Sequence, residues 1–128
     1  MIKGIRLLYE ANANVKLFII GNNGNALKEI KDYITLHKLQ NVVKILLNCS
    51  ENQKKQILES TFCFLHPSHL EGFCYPVIEA MSYGLPIIYN DIDIFNEIIG
   101  GYGLKVKFNN SVNFRTKCEK IINNKTFR

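Results

Sequence analysis

Two carboxylates eight positions apart, Glu71 and Glu79, stand in the run His66-Pro-Ser-His-Leu-Glu-Gly-Phe-Cys-Tyr-Pro-Val-Ile-Glu-Ala-Met-Ser-Tyr-Gly-Leu-Pro86. The spacing predicts Glu71 in a loop before a helix and Glu79 inside that helix. A ligand crossing the helix start would then meet one carboxylate at its rim and the other from the first turns. Paired carboxylates hold sugar hydroxyls by charge-assisted hydrogen bonds, and the amides of Gly72 and Phe73 suit a phosphate at a helix start. Acids near helix starts also suit the helix dipole without any ligand. Tyr75, beside that start, is placed to stack or hydrogen-bond there.

Weaker chemistry surrounds this run. Gly21-Asn22-Asn-Gly24 joins an apolar run to a helical one, so its backbone can approach a phosphate or a sugar. It matches neither G-x-G-x-x-G nor G-x-x-x-x-G-K-S/T, and turn glycines without a ligand are an equal reading. His66, His69 and Glu71 form H-x-x-H-x-E, three metal-ligand types in one loop. No further cluster offers a fourth ligand, so loop or pocket packing is expected and no metal site is assigned. His37 reads as a surface or helix-end histidine.

The elements that must position these residues alternate along the chain. Ile2 to Leu8 suggests a short first helix, and Val15 to Ile20 a buried strand ending at Gly21. A helix carries Leu27, Ile30 and Ile34, and Val42 to Leu46 forms the next strand. Ser50 and Gln53 have capping-box spacing before a helix with Ile57 and Leu58. Phe62 to Leu65 is a short strand stopping at His66-Pro67. Tyr75 to Tyr83 is a helix that Gly84 ends. Then come a strand at Pro86 to Tyr89, a helix at Asp93 to Ile99, a strand at Gly103 to Lys107 and a helix at Asn113 to Asn123. That last helix carries Phe114, Cys118, Ile121 and Ile122 on one side.

This rhythm predicts a Rossmann-like α/β fold, a parallel sheet flanked by helices. Such sheets bind ligands beyond the carboxyl ends of their strands, where Gly21, the His66 loop and Asn90 to Asp93 all fall. The chain has 128 residues, 47% hydrophobic and 21% charged, so a single packed domain over 1–128 is expected and a disordered or collagenous chain is excluded.

The run from Pro67 to Ile87 resembles the P-S-x-x-E-G-F-G-x-P-x-x-E-A-M-A-x-G-x-P-V pattern of the glycosyl transferases group 1 family. The matching residues are Pro67-Ser68, Glu71-Gly72-Phe73, Pro76, Glu79-Ala80-Met81, Gly84 and Pro86-Ile87. Fainter similarity in Lys3-Gly4, Leu17 to Gly24, the run from Val42 and Asn96-Glu97-Ile98 extends it over roughly residues 1 to 110. The resemblance is to the C-terminal, donor-binding domain of GT-B-fold retaining glycosyltransferases. It implies transfer of a hexose from a UDP- or GDP-linked donor to a glycan or lipid-linked acceptor, without a metal, in building lipopolysaccharide or other polysaccharides.

By that resemblance Glu71 would contact the transferred sugar and Glu79 the nucleotide ribose. Phe73 and Cys74 would present amides to the sugar-phosphate, Gly21 and Asn22 would border the nucleotide, and Lys3 would steady the departing diphosphate. The chain departs from the pattern in two places. Cys74 stands where the pattern has its second glycine, and only Met1 and Ile2 precede Lys3, where the family has a strand and an arginine. That strand is central in the family's 3-2-1-4-5-6 order. Without it, two buried strands are expected either to pair directly or to expose edges that recruit another chain.

The acceptor-binding N-terminal domain is likewise expected to be absent, and without it reactants are not held in register or shielded from water. An isolated donor half would bind nucleotide-sugar without transferring it. It would work with a missing-half protein or as a homo-oligomer. The alternative is a non-catalytic interaction or regulatory module derived from that domain.

Charge and cysteines address partners and location. The formal charge is +5, and beyond Leu104 seven basic residues face Glu119 alone. A solvated face is the plain reading of this tail, peripheral contact with an anionic membrane the functional one. Nucleic acid is not favoured, because Phe108, Phe114 and Phe127 form no stacking platform. Cys49, Cys63, Cys74 and Cys118 form no C-x-x-C pair, which points to a reducing cytoplasmic setting. The start has no signal-peptide core, and no apolar run spans a membrane.

Overall fold

The computed structural model describes residues 1–11, 14–69 and 72–123. The elements follow the expected alternation: α1 (Ile2–Glu10), β1 (Leu17–Gly21), α2 (Leu27–Leu36), β2 (Val43–Leu47), α3 (Glu51–Ser60), β3 (Phe64–His66), α4 (Tyr75–Ser82), β4 (Ile87–Asn90), α5 (Asp93–Ile99), β5 (Gly103–Val106) and α6 (Ser111–Asn123). Local chemistry sets several boundaries. Ser50 and Gln53 close a reciprocal capping box at the start of α3. After α4, Gly84 takes φ +69°, and the amides of Gly84 and Leu85 donate to the carbonyls of Met81 and Ala80.

All strand pairs are parallel, as expected, but the strands form two sheets rather than one. β1 pairs with β2, and β3, β4 and β5 form a separate sheet in that order. Of the two outcomes expected, direct pairing does not occur: among the described residues no strand pairs with the facing edges of β1 and β3. The Leu17 amide donates to the Val42 carbonyl and that of Phe64 to the Pro86 carbonyl. Strand alternation then turns the amides and carbonyls of Phe18, Ile20 and Leu65 away from their paired neighbours, towards the space between the sheets.

Helices hold the two sheets together instead. Ile5 and Leu8 of α1 and Phe114, Cys118 and Ile121 of α6 form one continuous core with Leu17 and Val43 of the first sheet and Ile88 and Val106 of the second. Ile87 and Tyr89, pointing the other way as the period of two requires, join α4 and α5 in a second core with Leu58, Val77, Ala80, Phe95 and Ile99. Ile122 is exposed, so the apolar side of α6 is narrower than its sequence suggests. Gly4 lies at the seam between α1 and α6, where a Cβ would run into the Phe114 ring.

Between β1 and β3 lies an apolar cavity of about 740 Å³. Its sides are the facing edges of β1 and β3; α1 and α6 close one face, and Ile57 and Leu58 of α3 with Pro76 of α4 line the other. Burial pushes two thiols on its wall upward, Cys63 to about 11 and Cys118 to about 12. Both behave there as small apolar groups.

Candidate functional site

Strands run the same way within each sheet, so the carboxyl ends of β3 and β4 share one rim and those of β1 and β2 another. Gly21 closes β1, His66 closes β3 and Asn90 closes β4. The first turn of α1 belongs to this end too, since α1 returns to the opposite edge where β1 begins. The Met1 amino group donates to the carbonyl of Phe108, just past the end of β5 (3.4 Å). Lys3 is exposed on that first turn, and its charge together with burial lowers the Met1 ammonium below the usual range, burial being the larger cause.

At the start of α4 the chain makes a tight entry. Cys74 is the cap residue, in the left-handed region at φ +50° and ψ +63°. That region favours glycine because a Cβ crowds the backbone there. It explains in physical terms why the family pattern has glycine at this position. Cys74 is buried, with Sγ 3.2 Å from Nε2 of His66. The His66 ring also stands edge-on to Phe95. Phe73 and Tyr75 flank Cys74 as exposed rings in edge contact, centroids 5.3 Å apart. In the first turn of α4 Pro76 has no N–H and the Val77 amide donates to the Cys74 carbonyl at 3.1 Å, and no acid occupies that turn.

Glu79 points from the second turn of α4 to α3, where its Oε1 meets Lys54 Nζ at 3.1 Å. Lys54 also reaches Glu51 Oε2 at 2.8 Å. Hydrogen bonds to Glu51 and then Glu79 raise the Lys54 ammonium above the usual lysine range. Sequence reading missed Lys54: it lies 25 positions before Glu79, on another helix, and no local spacing links them.

Asn90 is the buried polar side chain of the rim. Its Nδ2 donates to the Ser68 carbonyl at 3.2 Å and meets His69 Nδ1 at 2.7 Å, so one amide ties the loop after β3 to the end of β4. His66 and His69 thus face Cys74 and Asn90 respectively, which is pocket packing for both rings. Among the described residues no group of three metal-ligand side chains converges. Glu71 lies outside the described residues.

Gly21 has open space where a Cβ would stand, whereas a Cβ on Gly24 would be in ordinary contact with the Asn22 carbonyl at 4.0 Å; Asn22 is exposed. Part of the basic tail is neutralised: Lys105 meets Asp91 at 3.3 Å and Arg115 meets Glu119 at 2.8 Å. Asn96, then Lys105, hold the Asp91 carboxyl below the usual range. Among the described residues no helix is long and apolar enough to cross a membrane. His37 ends α2, as its position suggests.

Parallel strands flanked by helices, with the distinctive residues gathered at the strands' carboxyl ends, define a Rossmann-like α/β domain. The chain belongs to the glycosyl transferases group 1 family, whose model matches residues 1–128. It is 30% identical over 84 residues to the O-antigen chain mannosyltransferase RfbU of Salmonella typhimurium, covering 66% of this chain and 24% of that protein. Over 132 aligned residues it is 28% identical to the capsular polysaccharide biosynthesis glycosyltransferase CapM of Staphylococcus aureus, covering 100% of this chain and 34% of that protein. A 41-residue stretch is 42% identical to O-antigen chain mannosyltransferase B of Escherichia coli, 32% of this chain and 11% of that one. The chain therefore spans 34% or less of the length of these relatives.

Proposed function

We propose that residues 1–128 form the donor-binding domain of a retaining glycosyltransferase, one that transfers a hexose from a nucleotide-sugar to a glycan or lipid-linked acceptor. The observation that carries this reading is the entry into α4. There a first helical turn without acids adjoins an exposed aromatic pair, and Glu79 is held at a fixed angle by Lys54. A nucleoside diphosphate-sugar lying along the rim would place its phosphates at the amides of Phe73 and Cys74. Its ribose hydroxyls would donate to Glu79, whose second carboxylate oxygen remains for them. Gly21 and Asn22 border the nucleotide, Lys3 offsets charge on the leaving diphosphate, and Glu71 contacts the sugar. Such preorganised charges act most where negative charge develops as the glycosidic bond breaks. UDP and GDP are the candidate carriers. Two of the relatives described above are named mannosyltransferases, so a mannosyl donor is the first to test.

Calorimetric titration of the folded chain with UDP, GDP and their hexose conjugates tests the reading, repeated with Glu79→Ala. Saturable binding weakened at least about tenfold by the substitution, the loss of one charge-assisted hydrogen bond, is expected. A well-folded chain that binds none of these compounds overturns it.

A further inference from the structure

We infer that His69 offers its Nε2–H as a fixed hydrogen-bond donor to an oxygen on the diphosphate-sugar side of the nucleotide-sugar, with Asn90 holding the ring's other nitrogen. This rests on the donor-domain reading and adds a binding residue to it. The argument begins at the Asn90 amide, which is buried at the end of β4. Its Nδ2 stands 3.2 Å from the Ser68 carbonyl, 3.5 Å from the Pro67 carbonyl and 2.7 Å from His69 Nδ1. An oxygen in the place of Nδ2 would face two carbonyl oxygens, so the amide lies only this way round. Nδ2 therefore donates, and His69 Nδ1, its nearest neighbour, accepts.

A ring nitrogen that accepts carries no proton, so in the neutral imidazole the proton sits on Nε2. The opposite polarity is common, with a carboxylate or carbonyl accepting from one ring N–H and leaving the other nitrogen as an acceptor. Here the second nitrogen is a donor. His69 is exposed, and among the described residues no group hydrogen-bonds its Nε2. Two backbone carbonyls already tie the loop to Asn90; the contact to the ring adds a set tautomer and a set direction for Nε2. The loop leaves β3 at His66, whose own Nε2 lies 3.2 Å from Cys74 Sγ at the entry to α4. His69 thus stands on the same rim as the amides proposed to hold the phosphates, where parallel sheets take their ligands. Diphosphate and sugar oxygens are acceptors, and a donor already oriented towards them costs little to immobilise on binding.

Long-range 1H–15N correlation spectra of the full chain at about pH 8, above the ordinary imidazole range, read the tautomer, with the His69 signals assigned by their loss in His69→Asn. A bare Nδ1 and a protonated Nε2 are expected, and the Nε2 signal is expected to move on saturation with UDP, GDP, UDP-glucose or GDP-mannose. His69→Asn keeps an acceptor for Asn90 and removes the Nε2 donor; it is expected to weaken binding about fivefold or more with little change in Tm, the loss of one hydrogen bond. His69→Gln, whose amide reaches the place of Nε2, is expected to bind at least about twofold more tightly than His69→Asn. Equal losses for the nucleoside diphosphates and their conjugates assign the bond to a diphosphate oxygen, and a loss confined to the conjugates assigns it to a sugar hydroxyl. A protonated Nδ1, or Asn and Gln variants that bind as tightly as the unsubstituted chain or lose affinity equally, overturns this inference alone. A folded chain that binds none of the four compounds overturns the donor-domain reading and this inference with it. The spectra use the unsubstituted chain, so they decide even if a variant disturbs the loop.

Discussion

Lys54 on α3 holds Glu79 on α4 through a 3.1 Å ion pair, and Glu51 holds Lys54 in turn. Both members of the pair are partly open to water, so its contribution to stability is small. Its consequence is positional. A carboxylate with one oxygen pinned presents the other at a fixed angle, and a ligand gains by not having to immobilise it.

Lys54→Met is therefore expected to weaken nucleotide binding about three- to fivefold, the equivalent of one unfrozen side chain, with little change in Tm. Calorimetry and thermal melting together check this. The pH behaviour follows from the direction of the shift. The folded chain holds the Lys54 proton more tightly than the unfolded one, so the pair's contribution is present below the ordinary lysine pKa. It fades only as pH rises through the raised value. Affinity is thus expected to be flat from pH 6 to 9 as far as Lys54 is concerned; a break within that window that Lys54→Met abolishes contradicts this.

Cys74 combines two opposed effects, a left-handed backbone that a side chain strains and a buried thiol in contact with His66. Cys74→Ala keeps the strain and loses the thiol contact, whereas Cys74→Gly relieves the strain as well as losing the contact. The glycine variant is expected to be the more stable of the two, by about 1 kcal/mol after allowing for the greater freedom of glycine in the unfolded chain. Denaturant melts of both variants measure the difference. The reverse order would show that the backbone at 74 is not strained by its side chain.

The helices and strands were legible in the sequence because their signals are local. The capping box at Ser50 and Gln53, the stop at Gly84 and the bounds Asp93 to Ile99 were all readable. The division into two sheets follows from which strands become neighbours, and no run in the sequence encodes that directly. The place for a central strand between β1 and β3 was legible only through family resemblance, which left open whether those two strands would pair. α1 and α6, packed across both sheets, hold the gap open. At the rim, His66 and Asn90 were placed together by the rule for strand ends, and Gly21 was placed at the end of β1 by the same rule. Lys54 was not, because helix-to-helix ion pairs depend on packing rather than spacing.

Asn90 sits at the end of β4 with its amide committed to the loop after β3. Asn90→Leu leaves the Ser68 carbonyl and the His69 ring without that donor in a partly buried setting. A loss of about 1–3 kcal/mol is expected. The Ser68 and His69 amides should exchange faster than those of β4, since the loop loosens before the sheet does. Uniformly faster exchange would place the role of Asn90 in the core rather than the loop.

Gly4 supports Lys3 from beneath, because α1 can lie against α6 only where residue 4 has no Cβ to meet Phe114. Phe114 is fully buried at this seam, so its ring has little room to move. Gly4→Ala gains helix propensity of about 0.8–1.0 kcal/mol, but overpacking of this kind costs about 1–3 kcal/mol. The expected net effect is destabilisation, with α1 displaced from α6. Phe114→Leu destabilises by itself through lost volume, yet it makes room for the added methyl. The double variant is therefore expected to be more stable than the sum of the single effects implies, by at least about 0.5 kcal/mol, as residues in contact show. Additive losses in denaturant melts would mean that the two residues do not oppose one another across the seam.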